Sequence, residues 1–213
     1  MRYTSMNGLT KALLIIGIMA AIIGAIGLPD AITLWTDDAS GLDSLTPGSI
    51  EEGDVFRGEV PVSVDLIAEE VTVKKYGFVK IGETKTPFYL VKLENGYALV
   101  NVTFAKKQEA FKELTRDSHS YYRGGSGDKP EGVEITAVSE RMPANLKEYL
   151  KDYCESGGLT EQEYSEMVEN TYCLRTINYD YAKYTPPICF GVAGLCAIII
   201  VIGKLTGSKA VSI

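Results

Sequence analysis

Two uncharged apolar runs, one near each end of the 213-residue chain, constrain its architecture more than any other feature. Ala12 to Leu28 and Ile188 to Gly203 contain no charged side chain. At about 1.5 Å of rise per residue, a helix of either run approaches the roughly 30 Å of a bilayer's hydrocarbon core. Every backbone polar group must be satisfied internally in hydrocarbon, so a helix is the one form open to a lone apolar stretch. Pro186 and Pro187 suit a helix start, where their missing amide protons would have no partner anyway. The expected spans are therefore 12–28 and 186–203, with tails 1–11 and 204–213.

Two alternatives compete with that reading. The first run is also compatible with a cleaved signal peptide, because Ala25-Ile26-Gly27 has small residues at a tolerated spacing. Its length exceeds the about 7 to 15 residues of a signal core, which favours a span. The second run competes with a buried core helix, but it has no polar face and Lys204 ends it sharply.

Charge divides the chain in the same way. All 28 acidic residues lie between Asp30 and Asp180, and the middle is acidic by 28 to 17 against basic residues. The ends carry only Arg2, Lys11, Lys204 and Lys209. Cations flanking the outer ends of both runs predict cytoplasmic termini and an extracytoplasmic middle. Trp35, Tyr179, Tyr181 and Tyr184 fall on the opposite flanks, where amphipathic rings favour the headgroup region. The bilayer is thus the first expected partner. A pI of 4.9 argues against nucleic-acid binding, and composition excludes a collagen, a coiled coil and a cysteine-dense scaffold.

Small residues form a helical stripe in the first run, at Gly17, Ala20, Ala21, Gly24 and Gly27, and the second run offers Gly191 and Gly194. Such stripes let another helix backbone approach, whether the other span, a second copy or another membrane protein. Neither run carries an Asp, Glu, Lys, Arg or His for ion or proton transfer.

Residues 29–52 read as a linker and 53–185 as one α+β domain. Val55–Val60, Val62–Lys75, Phe78–Ile81 and Pro87–Leu93 read as short strands rich in Val, Ile, Phe and Tyr. Asn95-Gly96 predicts a type I′ hairpin turn. Ala105 to Arg116 reads as a helix, His119 to Gly132 as a polar loop, and Val133 to Met142 as a further strand. Pro143–Glu155 and Thr160–Leu174 read as a closing pair of helices, with Thr160 and Glu163 matching a capping box. The expected class is a mainly antiparallel, barrel-like or meandering sheet with C-terminal helices, flanked by two transmembrane helices.

Candidate chemistry is sparse. Cys154 and Cys173 are the candidate disulfide of an oxidising compartment, although two antiparallel helices would hold them too far apart. His119, the only histidine, lies between Ser118 and Ser120 without a nucleophile-elbow motif. No cysteine–histidine spacing suits zinc, and Gly124-Gly125-Ser126-Gly127 lacks the rest of a phosphate loop, so no cofactor or metal is expected. Asn101-Val102-Thr103 is a formal glycosylation sequon inside a predicted strand. Tyr121, Tyr122 and Arg123 form a candidate contact surface.

Gly53-Asp54-Val55-Phe56-Arg57-Gly58 opens the outer domain, Phe88-Tyr89-Leu90-Val91 leads through Asn95-Gly96 to Tyr97, and a short basic tail follows the second run. In this layout the chain resembles uncharacterised two-span membrane proteins of Gram-positive bacteria, a family of unknown function. The resemblance implies topology and no activity. The residues predict a non-enzymatic membrane-anchored module that binds a partner protein, an envelope component or a small ligand. The alternatives are a sensor or accessory subunit of a membrane complex, docking through Gly17 and Gly24, and an envelope hydrolase built on His119 with Ser118 or Ser120.

Overall fold

A computed structural model describes residues 8–36, 39–46, 50–76, 79–122, 124, 128–157, 160–162, 164, 165 and 172–209. Within these, the side chains of residues 74–76, 79–81, 154 and 205–209 lie outside the description. The chain divides into two units, Met1–Thr36 with Asn178–Ile213, and Asp37–Ile177.

The first unit is a pair of helices, α1 (Gly8–Thr36) and a C-terminal helix (Tyr179–Lys209). Both are long and apolar enough to cross a membrane. They run antiparallel: a Cβ on Gly17 would stand 3.2 Å from Cys196 Cβ, one on Gly24 3.2 Å from Cys189 Cβ, and one on Gly27 3.2 Å from Pro186 Cγ. Among the less exposed positions of α1, Thr10, Leu13, Gly17, Ala20, Gly24, Gly27, Ala31 and Leu34 recur in steps of three and four. That spacing keeps them on one face of the helix. The C-terminal helix starts at Tyr179, seven residues before Pro186, so both prolines lie inside it and do not begin it. Similarly α1 continues through Pro29 to Thr36, into the stretch expected to be linker.

In the second unit the strands are β1 (Ser40–Gly41), β2 (Val55–Val60), β3 (Val62–Tyr76), β4 (Val79–Leu93), β5 (Gly96–Asn101), β6 (Val133–Arg141) and β7 (Tyr172–Thr176). They form one sheet in the order β1-β2-β6-β7-β5-β4-β3. The class is α+β as expected, but the sheet is neither closed nor wholly antiparallel: β1 runs parallel to β2 and β5 parallel to β7. The parallel contact arises because β7 inserts between β5 and β6, after helices α2 (Ala105–Tyr122) and α3 (Ala144–Glu155) have carried the chain across the sheet.

Two cores explain why the strands alternate only partly in sequence. One gathers Phe56, Tyr89, Val91, Leu93, Ala98, Val100 and Leu174 beneath Phe111 and Leu114 of α2. The other gathers Phe88, Leu90, Leu99 and Cys173 against Leu146 and Leu150 of α3. Neighbouring residues of β4 thus enter opposite cores, and a strand buried on both faces reads as a continuous apolar run. The expected linker also contributes: Leu42, Leu45 and Ile50 are buried in the α2-side core. A Cβ on Gly58 would stand 3.1 Å from Leu42 Cβ, so the glycine lets this segment lie close against β2.

Several local expectations change. The segments read as separate strands before and after Gly82 are one 15-residue strand, β4, paired along its length with β3. The β4–β5 hairpin forms, with Leu93 opposite Gly96. Only glycines have positive φ among the described residues, Gly96 at 144° included, so the turn is not type I′. The helix read as Ala105 to Arg116 continues to Tyr122, taking His119 out of the predicted loop. The stretch read as helix to Leu174 ends in strand β7, where pairing on both sides buries Cys173, Leu174 and Thr176. Among the described residues between α3 and β7, Glu161, Gln162, Tyr164 and Ser165 are helical, and Glu163 of the expected capping box lies outside the description.

Candidate functional site

The end of α2 meets the start of β3 through polar side chains. Thr115 and, one turn further on, Ser118 and His119 contact β3 from α2. The Ser63 hydroxyl lies 2.6 Å from Thr115 Oγ1, and the Ser63 amide donates to Ser118 Oγ at 3.3 Å. His119 Nε2 is 2.5 Å from the Val64 carbonyl oxygen. A carbonyl only accepts, so this contact requires the proton on Nε2. The β3–β4 register slips by one residue between Ser63 and Asp65, leaving Val64 unpaired with β4. A bulge turns backbone groups out of the ladder, and His119 satisfies the one at Val64.

Beside this joint lies a cavity of about 280 Å³ lined by Val62, Ser63, Val64, Lys92, Ser118, His119 and Tyr122. Val62 and Lys92 are paired in register, so a cation stands beside an apolar side chain in the lining. Lys92 Nζ also sits 5.6 Å from the centre of the Tyr97 ring, a cation–π contact. Tyr121 and Tyr122 pack edge to face with ring centres 4.9 Å apart, and Tyr122 is 60% exposed. The predicted tyrosine surface thus joins the predicted histidine at one helix end, which a loop reading had left without geometry. Arg123, the third member of that surface, lies outside the described residues. Lys92 and the residues of β3 escaped sequence reasoning because only the β3–β4 register brings them to α2.

Ser118, His119 and Ser120, the residues of the hydrolase alternative, are each held by backbone groups. Ser118 is 2% exposed and accepts the Ser63 amide, Ser120 donates to the Arg116 carbonyl within its own helix, and no carboxylate bonds His119 among the described residues. A triad needs the base between a nucleophile and an orienting acid. Among the described residues no three His, Cys, Asp or Glu side chains gather to hold a metal. A second, more polar cavity of about 410 Å³ is lined by Leu42, Asp43, Gly58, Glu59, Pro61, Leu93 and Glu94.

Cys173 is a free thiol, 3% exposed, in β7, and not on a helix. The Cys154 side chain lies outside the described residues, and the helical geometry that separated the two cysteines no longer applies. Burial, reinforced by Glu140, pushes the Cys173 thiol up to about 12. At pH 8 it is therefore almost wholly protonated, and only the thiolate attacks alkylating reagents. Cys173 should resist iodoacetamide at pH 8 in the folded protein and react once denatured, read by mass spectrometry. Rapid native labelling would contradict this burial.

Asn101 closes β5 at 8% exposure, so the formal sequon lies in the folded sheet. In the helix pair, Gly17, Gly24 and Gly27 of the predicted packing face meet the C-terminal helix. Gly24 is buried, and Ala20 and Ala21 are partly so. Gly191 and Gly194 have nothing within 4 Å of a built Cβ and stand away from that contact.

No protein-family model matches the chain, and no curated protein matches it.

Proposed function

We propose that the chain is a membrane-anchored binding module: the helix pair is its anchor, both termini are cytoplasmic, and the 37–177 unit meets a partner protein, an envelope component or a small ligand outside the membrane. The observation that carries this reading is what the helix pair leaves uncovered. Leu14, Ile15, Ile18, Met19, Ile22, Ile26, Ile188, Leu195, Ile198 and Ile202 are all exposed around it. A soluble monomer rarely exposes so continuous an apolar surface, and a core helix would be buried. A cleaved first helix is disfavoured for the same reason, since the C-terminal helix would lose the partner that Gly17, Gly24 and Gly27 admit. Antiparallel packing brings Gly8 of α1 and Lys209 of the C-terminal helix to one side of the pair, and the cations Arg2, Lys11, Lys204 and Lys209 favour the cytoplasm for that side.

The cavity beside His119 supports a binding role, with apolar walls, an imidazole and a lysine able to hold an apolar group with an anionic end. The non-enzymatic reading rests on the structural bonds of Ser118, His119 and Ser120. The accessory-subunit alternative is the less supported one, because Gly17 and Gly24 face the chain's own second helix.

Alkaline carbonate extraction of membranes, followed by protease added to intact cells, tests the proposal. The chain should stay in the membrane pellet, and its 37–177 unit should be cut only from outside. Release into the supernatant would remove the anchor, and cutting only after permeabilisation would reverse the orientation.

A further inference from the structure

The sheet ends in an exposed, charge-patterned edge. β3 is its terminal strand, and β5 pairs with β4 only from Phe88 onward, so beyond Glu69 and Pro87 strands β3 and β4 continue as a two-stranded ribbon. Glu69 to Val73 are exposed, with Val71 at 47% and Val73 at 41%. Two strands alone are marginal in water, and a bare edge is a template for another strand.

The residues at this edge read Glu69-Glu70-Val71-Thr72-Val73-Lys74-Lys75. The run is charge-complementary to its own reverse. If two copies pair antiparallel about Thr72, Glu69 stands opposite Lys75, Glu70 opposite Lys74 and Val71 opposite Val73, each twice. A parallel in-register alignment instead puts Glu against Glu and Lys against Lys. Like charges directly opposite are destabilising and opposite charges stabilising, so the pattern selects one register out of the several an open edge offers. A general defence against aggregation needs charges on the edge but no such order.

We infer that the occupant of this edge is a second copy of the chain, joined to the first by antiparallel pairing of β3 with β3 about a two-fold axis at Thr72. The contact is isologous, as a two-fold dimer requires, and at about 3.3 Å per residue the complementary run extends roughly 23 Å. Glu69 already reaches Lys85 of its own chain at 3.4 Å, an exposed pair that leaves its carboxylate accessible to the partner. This inference goes beyond the anchoring proposal and does not depend on it, because the edge belongs to the 37–177 unit alone.

The test places a cysteine on the axis. Opposed residues of an antiparallel pair lie about 4.5 to 5.5 Å apart at Cα, within disulfide range. Full-length Thr72→Cys, oxidised in mild detergent, should run as a reducible dimer, with the wild-type chain and its own four cysteines as background. Adding Glu69→Lys and Glu70→Lys should lower the cross-linked yield on the order of tenfold, by setting Lys against Lys. Further adding Lys74→Glu and Lys75→Glu restores complementarity with the signs exchanged, and the dimer should return, which also shows that the charge variants fold. The inference is overturned if Thr72→Cys gives no more dimer than wild type. It is equally overturned if the yield ignores the first charge reversal or stays low in the fourfold exchange.

Discussion

Phe111→Ala should destabilise the 37–177 unit by about 3–5 kcal/mol, the range for deleting a fully buried aromatic side chain. Phe111 has no exposed surface, and its ring lies 5.2 Å from that of Tyr89 at 39°. The substitution thus removes both the main apolar contact of α2 with the sheet and an aromatic pair. Natural domains have only about 5–15 kcal/mol to lose, so much of the folded margin would go. Urea unfolding followed by near-ultraviolet circular dichroism checks this in the detergent-solubilised protein. Tyr89 gives a second readout. Its phenol is held above its ordinary value by burial, with Glu69 and Glu109 adding to the shift. A hydrated cavity in place of Phe111 should lower the onset of tyrosinate absorbance. A loss below about 1 kcal/mol would mean that α2 is held mainly by its polar joint to β3.

Gly24→Leu should separate the helix pair. A Cβ at Gly24 already lies 3.2 Å from Cys189 Cβ and 3.3 Å from Phe190 Cζ, before the rest of a leucine is placed. Overpacking of this kind costs about 1–3 kcal/mol in a well-packed interior, and helices in lipid lack a hydrophobic drive, so that close packing is most of what joins them. The separation can be read by cross-linking. A Cβ at Gly17 lies 3.2 Å from Cys196 Cβ, so Gly17→Cys should form a disulfide with Cys196 that holds the two helices together after proteolysis of the intervening unit. Adding Gly24→Leu should abolish that link. Adding Gly191→Leu, at a position open within 4 Å, should leave it intact. Equal yields in the two double variants would show that the glycine contact does not hold the pair.

How much of this was legible in the sequence depended on the range of the cause. The apolar runs, the helical content of Ala105–Arg116 and Pro143–Glu155, and the hairpin through Asn95-Gly96 follow from neighbouring residues, and each element is present. Readings that required knowing a distant partner failed. Tyr172-Cys173-Leu174-Arg175-Thr176 has no strong local preference and becomes a strand because β5 and β6 both offer it an edge. Leu42, Leu45 and Ile50 look like linker until Phe56 and the other residues of the α2-side core surround them.

The candidate site divides in the same way. Tyr121, Tyr122 and His119 stood out by residue type, but a glycine-rich neighbourhood concealed that their helix continues. Sequence marks Ser63, Val64 and Lys92 with nothing, because what gives them a role is a slipped register in one hairpin and the height at which α2 crosses it.

What the amino-acid order determined alone was solvent preference: hydrocarbon-compatible ends, an acidic middle, and periods of apolar residues that each segment carries within itself. Tertiary structure decided strand order, the two-sided burial of β4, β5 and β7, and the joining of α2 to β3. Those depend on pairing energies between segments tens of residues apart, and no local pattern encodes which of several open edges a strand will fill.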